Sequence, residues 1–186
     1  MHVAPLDRRR NAERLPSNGF PTIPVIGRDV VALFPPALFI IACVLGLVGA
    51  DPPGDSTGSG LAESLLLWTL YLSIGWAGVG AGLSHTVFAK STAKSIGWET
   101  NNFQYEIGFA DFSTGVAAIY AVHVGSPTAW AAVAIAGGLF RVLAGINHIR
   151  GIIRDKNYAP GNSLILIANF GPPIVMLITL LSTNIL

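Results

Sequence analysis

Phe103-Gln104-Tyr105-Glu106-Ile107-Gly108-Phe109-Ala110-Asp111 opens an apolar segment, residues 103–124, that is long enough to cross a bilayer yet carries two carboxylates. A carboxylate at membrane depth costs about 2.5–3.5 kcal/mol on insertion scales, so a compensating partner is required. Finding that partner organises the reading of the rest of the chain.

The wider sequence explains why membrane depth is the correct frame. Of 186 residues, 52% are hydrophobic and only 11% charged, and the mean hydropathy is +0.59. A soluble domain of this size carries about a quarter charged residues, so the deficit and the long apolar runs point to an integral membrane protein. Cys43 is the only cysteine, which excludes an intramolecular disulfide and a CxxC metal or redox site.

Residues 1–29 read as a basic cytoplasmic arm with Arg8, Arg9, Arg10, Arg14 and Arg28, punctuated by Pro5, Pro16, Pro21 and Pro24. Residues 30–186 read as an all-α transmembrane domain of five helices, with spans near 30–50, 61–89, 103–124, 128–149 and 164–185. The first run, about twenty residues, is longer than the apolar core of a signal peptide and carries Pro35-Pro36, which predicts a kink or a late start. Asp51 to Gly60 is a loop by its Pro, Gly and Ser content. Pro172-Pro173 interrupts the last span and removes two backbone donors from it.

Orientation follows from the basic residues. With the amino terminus inside, the five arginines of the arm, Lys90, Lys94, Arg150, Arg154 and Lys156 all fall on the cytoplasmic side. The outer segments 51–60 and 125–127 contain no Lys or Arg. The expected topology is therefore amino terminus in, carboxy terminus out, in the cytoplasmic (inner) membrane of a bacterium. The arm is also able to meet anionic lipid headgroups.

Arg141 is the remaining basic residue, and it lies inside the fourth span. By helical rise, Asp111 and Arg141 sit about 12 and 13 Å from the cytoplasmic ends of their spans, on helices joined by a very short loop. An intramembrane Asp111–Arg141 ion pair is the expected solution. A shallower layer holds His85, Gln104, Glu106 and His148, a candidate polar or proton site. Gly75, Gly78, Gly82 and His85 recur at spacings of three and four, so close helix packing on the glycines would turn the histidine inward. Gly137, Arg141, Ala144 and His148 repeat that spacing. Glu106 and Asp111, five residues apart, point about 140° from each other. Gln104 shares the face of Asp111, Thr114 and Gly115, whereas Glu106 shares that of Ala110, Ser113 and Ala117. A helix polar on two sides would sit among several neighbours. Trp68, Tyr71, Trp98 and Trp130 lie near span ends and read as interfacial anchors.

Phosphate loops, GxGxxG before a helix, HExxH and Gly-x-Ser-x-Gly are all missing, and no span contains a lysine. No catalytic or metal-binding residue is expected.

Two stretches carry a resemblance. Ser95-Ile96-Gly97-Trp98 with Phe103–Ala110, and His148-Ile149-Arg150 with Asn157-Tyr158-Ala159-Pro160-Gly161-Asn162, resemble a family of small bacterial and archaeal multi-pass membrane proteins of unknown function. The resemblance covers roughly residues 65–183 and implies the architecture and an interest in Gln104, Glu106 and His148, but no activity. In that family's pattern an Asp stands four residues before the histidine matched by His148. Here that position is Ala144, and Asp111 stands where Asn is common. One reading is that the acidic group has moved to the third helix, with Arg141 as its partner.

The first functional reading is a non-enzymatic accessory subunit that stabilises a larger membrane complex, with other membrane subunits and lipid, not nucleic acid, as partners. The alternative is a small proton-coupled transporter or carrier, whose mark would be a cavity reaching the histidine layer from the cytoplasm. The third is a haem-binding electron carrier using His85 and His148, two histidines at matching depth.

Overall fold

The computed structural model describes residues 28–54, 60–183 and 185. The basic arm before Arg28 and part of the loop after Asp51 lie outside the described residues. Among the described residues every element is helical, and four helices are long and apolar enough to cross a membrane.

The first helix, α1 (Arg28–Leu47), continues through Pro35 and Pro36. Its apolar part, Ala32–Leu47, is shorter than the four spans, and it packs along the first and last of them. The second, α2 (Leu61–Thr86), is one continuous 26-residue helix whose middle, Thr69–Trp76, widens into a π-helix. There the N–H of Ala77 reaches back five residues to the carbonyl of Leu72. Widened turns of this kind are uncommon and often lie at functional sites.

The sequence predicts a second span running to residue 89 and no element between it and residue 103. The chain instead forms a short amphipathic helix, α3 (Ala89–Ile96), which buries Ala89, Thr92, Ala93 and Ile96 and exposes Lys90 and Lys94. That division suits a helix lying in the plane of the interface. Thr92 Oγ1 donates to the Ser84 carbonyl at 2.7 Å, which folds α3 back under the end of α2. Gly97, at φ 80°, ends it in a conformation that favours glycine.

The helix that contains the opening stretch, α4 (Asn102–Val124), is capped by Asn101, whose side chain accepts from the Gln104 N–H at 3.2 Å. It turns at Gly125 into α5 (Pro127–Asp155), which starts on a proline at its first position. At 29 residues, α5 is about 43 Å long and outreaches a 30 Å hydrocarbon core. The last helix, α6 (Pro160–Ser182), opens with a separate turn at Pro160–Ser163 and carries Pro172 and Pro173 within it.

The centre of the bundle is α2, the most buried of the four spans, and not α4 as two-sided polarity suggested. The physical reason is the glycine face. A Cβ on Gly78 would lie 2.9 Å from the Asp111 carbonyl, one on Gly82 2.8 Å from the Gly108 carbonyl, and one on Gly115 2.6 Å from both Gly75 O and Val79 N. Backbone meets backbone there, which only residues without side chains permit. On α4, Gly108, Asp111, Gly115 and Ala118 are buried, whereas Glu106, Ala110, Ser113 and Ala117 are exposed. The second polar side of α4 therefore faces outward. Trp130 is likewise no interfacial anchor: it is 3% exposed and donates to the Ala121 carbonyl at 3.0 Å.

Candidate functional site

The basic residues of α3 and of the end of α5 share one end of the bundle, and the polar cluster lies just beneath it. His85, in the last turn of α2, meets Gln104 of α4: Nε2 of the glutamine is 3.4 Å from His85 Nδ1 and donates to the Ala89 carbonyl at 2.8 Å. The glutamine thereby joins α2, α3 and α4.

His148 projects from α5 and is fixed from two sides. Its Nδ1 lies 2.8 Å from Asn162 Oδ1, and its ring stacks on Trp98 with centroids 5.0 Å apart and planes 11° off parallel. Asn162 is fully buried in the first turn of α6. Its Nδ2 donates to the carbonyls of His148 (3.3 Å) and Asn157 (2.9 Å). Asn157 in turn donates to the Ile96 carbonyl at 2.8 Å and accepts from the Ala159 N–H at 3.1 Å. The segment Asn157–Asn162 is thus a hydrogen-bonded clasp that joins the ends of α3, α5 and α6.

Between these supports lies a cavity of about 450 Å³. His85 and His148 both line it, with Ser84, Thr92, Ser95 and Gly161 nearby, and its other walls are apolar. Phe34, Leu83 and Phe88 also line it and are 46%, 45% and 62% exposed, so its mouth is flanked by large apolar side chains on the outer surface of the bundle. The volume falls within the range of small-molecule sites, and apolar walls with a few convergent polar groups are what such sites have.

The deeper layer is differently arranged. Asp111 and Arg141 are both buried, at 6% exposure each, and within electrostatic reach of one another. Among the described residues no hydrogen bond joins them directly. Arg141 Nη2 donates instead to the Ser73 carbonyl, at 3.4 Å, in the π-helical part of α2. Among the described residues the buried side-chain atoms Thr69 Oγ1, Ser73 Oγ, Asn169 Nδ2 and, in the shallower layer, Gln104 Oε1 have no partner.

Over residues 32–185 the chain matches the model of a family of unknown function, DUF6790. It belongs to that family. No curated protein matches the chain, and no solved structure does. Membership supplies no activity, so function must be argued from the site.

Of the four residues expected in the shallow layer, the structure brings together His85, Gln104 and His148. Glu106 is exposed on the opposite face of α4 and takes no part. The sequence reading missed Asn162 and the stacking role of Trp98, although both stand in the quoted stretches. Among the described residues, no three His, Cys, Asp or Glu side chains are grouped to hold a metal ion.

Proposed function

We propose that this multi-pass membrane protein is a ligand-binding protein of the carrier type, which takes a small amphiphile into the cavity beside His85 and His148. The observation that carries this reading is the cavity itself, which reaches the two histidines at the basic end of the bundle. Basic residues concentrate on the cytoplasmic side of membrane proteins, so the cavity is assigned to the cytoplasmic leaflet, with α1 as a fifth span and the carboxy terminus outside. The cytoplasmic membrane of a bacterium is the proposed location. Lys90 and Lys94 on α3, with the basic arm, suit contact with anionic headgroups around the mouth.

An accessory-subunit role predicts a surface, and nothing favours one surface over another. The carrier reading draws support from a cavity lined by both histidines, although its mouth is flanked by apolar side chains on the outer surface of the bundle and not by an opening from the cytoplasm as that reading expected. A bis-histidine haem fits less well. Iron ligation needs a free Nε2 lone pair on both rings, whereas the contacts of His85 favour a proton on its Nε2, as argued below. The deeper Asp111–Arg141 level is assigned a structural role, holding α4 and α5 in register through their opposite charges.

The test uses the full-length protein in lipid nanodiscs and 1-bromoundecane, whose bromine quenches tryptophan on contact. The Trp98 signal is taken as the difference between wild type and Trp98→Phe. Saturable quenching that is lost in Ala81→Phe, which fills the cavity, is the expected result. Equal quenching in both proteins would overturn the assignment.

A further inference from the structure

The hydrogen bonds that hold the two histidines are not equivalent, and the difference determines what each offers the cavity. At His148 the amide orientation of Asn162 is forced. Its Nδ2 faces two backbone carbonyls, those of His148 and Asn157, which can only accept. The oxygen of Asn162 is therefore the atom 2.8 Å from His148 Nδ1, and it too can only accept. The Nδ1 of His148 must carry the proton, which leaves the Nε2 of a neutral ring with a lone pair.

At His85 the roles are reversed. Gln104 Nε2 faces the Ala89 carbonyl at 2.8 Å, which orients that amide. The same nitrogen lies 3.4 Å from His85 Nδ1, a long contact in which an amide nitrogen can only donate, so the arrangement favours an accepting Nδ1 and, in a neutral ring, the proton on Nε2. Both rings line the cavity, and with Nδ1 of each engaged by an amide the atom left for a ligand is Nε2, an N–H on His85 and a lone pair on His148. Two neutral imidazoles of identical chemistry have been set to opposite hydrogen-bonding roles by one glutamine and one asparagine.

Resting on the reading of the cavity as a ligand site, we infer that it selects an uncharged oxygen head group that donates one hydrogen bond and accepts another, carried on an apolar chain. An alcohol meets this at one oxygen; a protonated carboxylic acid meets it with two, its O–H to His148 Nε2 and its carbonyl to His85 Nε2–H. A head that only accepts, such as an ester, satisfies His85 and leaves the His148 lone pair without a donor. A bare alkane leaves both groups unpaired. Buried groups left unpaired weigh against a ligand more than paired groups favour it, which makes the discrimination sharp. The mouth supports the apolar chain: Phe34, Leu83 and Phe88 flank it and are open to the surrounding lipid. Entry from the bilayer would take the head in first, past the apolar mouth to the imidazoles, and leave the chain along the apolar walls.

The experiment uses four unbrominated competitors on the full-length protein in nanodiscs, undecanoic acid, undecanol, methyl undecanoate and undecane, against a fixed amount of 1-bromoundecane. Each is titrated as a mole fraction of lipid, with recovery of the quenched Trp98 difference signal as the readout. The acid, the alcohol or both are expected to half-saturate at about tenfold lower mole fraction than the ester, since one additional satisfied hydrogen bond is worth on the order of a factor of ten. Which of the two binds tighter identifies the head group. In His148→Phe the preference over the ester should vanish while 1-bromoundecane still quenches. In His85→Phe the advantage of the ester over the alkane should vanish in the same way. Ester and acid binding alike in the wild type, with 1-bromoundecane still excluded by Ala81→Phe or by Ile165→Phe, would overturn the donor–acceptor inference and leave the cavity assignment standing. Quenching by 1-bromoundecane that is indifferent to both cavity-filling variants would overturn the two together.

Discussion

Replacing Gly115 with alanine places a methyl group where there is no room for one. Its Cβ would lie 2.6 Å from Gly75 O and 2.6 Å from Val79 N, and both atoms belong to the backbone of α2. Neither can rotate away, so α2 and α4 must separate by about 0.8 Å to restore ordinary van der Waals distance. Overpacking of this kind costs about 1–3 kcal/mol, and an obstruction made of backbone belongs at the upper end. Alanine is the better helix former by about 1 kcal/mol, which offsets part of the loss. A net destabilisation of about 2 kcal/mol follows, or roughly 4–8 °C in melting temperature for a chain of this size. Gly151→Ala is the matched control. It is also a buried helical glycine, but its Cβ would meet only Asn162 side-chain atoms at 3.6 Å, an ordinary contact. Tryptophan fluorescence during thermal unfolding in one detergent reads both variants. Gly115→Ala melting within 1 °C of wild type, or Gly151→Ala falling as far as Gly115→Ala, would refute the claim that this backbone contact sets the α2–α4 packing.

Arg141→Met leaves Asp111 buried without its balancing charge and should cost about 3 kcal/mol, whereas Arg141→Met combined with Asp111→Asn should recover much of that loss. Strictly additive melting shifts across this cycle would show that the two charges do not interact. Asn162→Leu strips partners from His148 Nδ1 and from two carbonyls, so a loss of at least about 2 kcal/mol is expected in the same melt; a neutral result would deny the clasp its role. Glu106→Gln should leave stability within about 0.5 kcal/mol of wild type, as exposed positions generally do, and should leave the Trp98 quenching curves superimposable. A shifted quenching curve would place Glu106 in the site after all.

Much of the site was legible because small residues mark the faces of membrane helices that approach one another. The spacing of Gly75, Gly78 and Gly82 with His85, and of Gly137 and Arg141 with His148, turned both histidines inward, and both line the cavity. The short helix α3 was hidden for a different reason. Its buried positions are Ala89, Thr92, Ala93 and Ile96, too few and too weakly apolar to raise the hydropathy of a segment that also holds Lys90 and Lys94. The π-helical part of α2 leaves no trace in the sequence: its small polar residues, Thr69 and Ser73, stand four apart as they would in an ordinary helix, too short a stripe to show the phase shift of a wide turn. Asn162 stood in plain view within Asn157–Asn162, but an asparagine just after Pro-Gly reads as loop chemistry until the histidine it orients comes into place.

Glu106 shows where polarity misleads at a membrane interface. In a soluble helix the apolar face is the inner one, so a carboxylate marks the outside. Within a bilayer, lipid is as apolar as a protein core, and the usual rule is reversed: a charged group is taken to face inward. Both rules fail in the first turns of α4, where the helix leaves the headgroup region and a carboxylate can remain hydrated on the outer face. What separated the two carboxylates was the size of their neighbours. Asp111 lies among Gly108, Gly115 and Ala118, which permit backbone contact, and it is buried. Glu106 shares its face with Ala110, Ser113 and Ala117, small residues too, but α2 docks at the glycines, where backbone can touch backbone. The glycine pattern thus outranks the charge pattern in deciding which face is inside. If the cavity is the ligand site proposed above, its polarity resides in uncharged amides, Gln104 and Asn162, which orient the two imidazoles without adding a charge there.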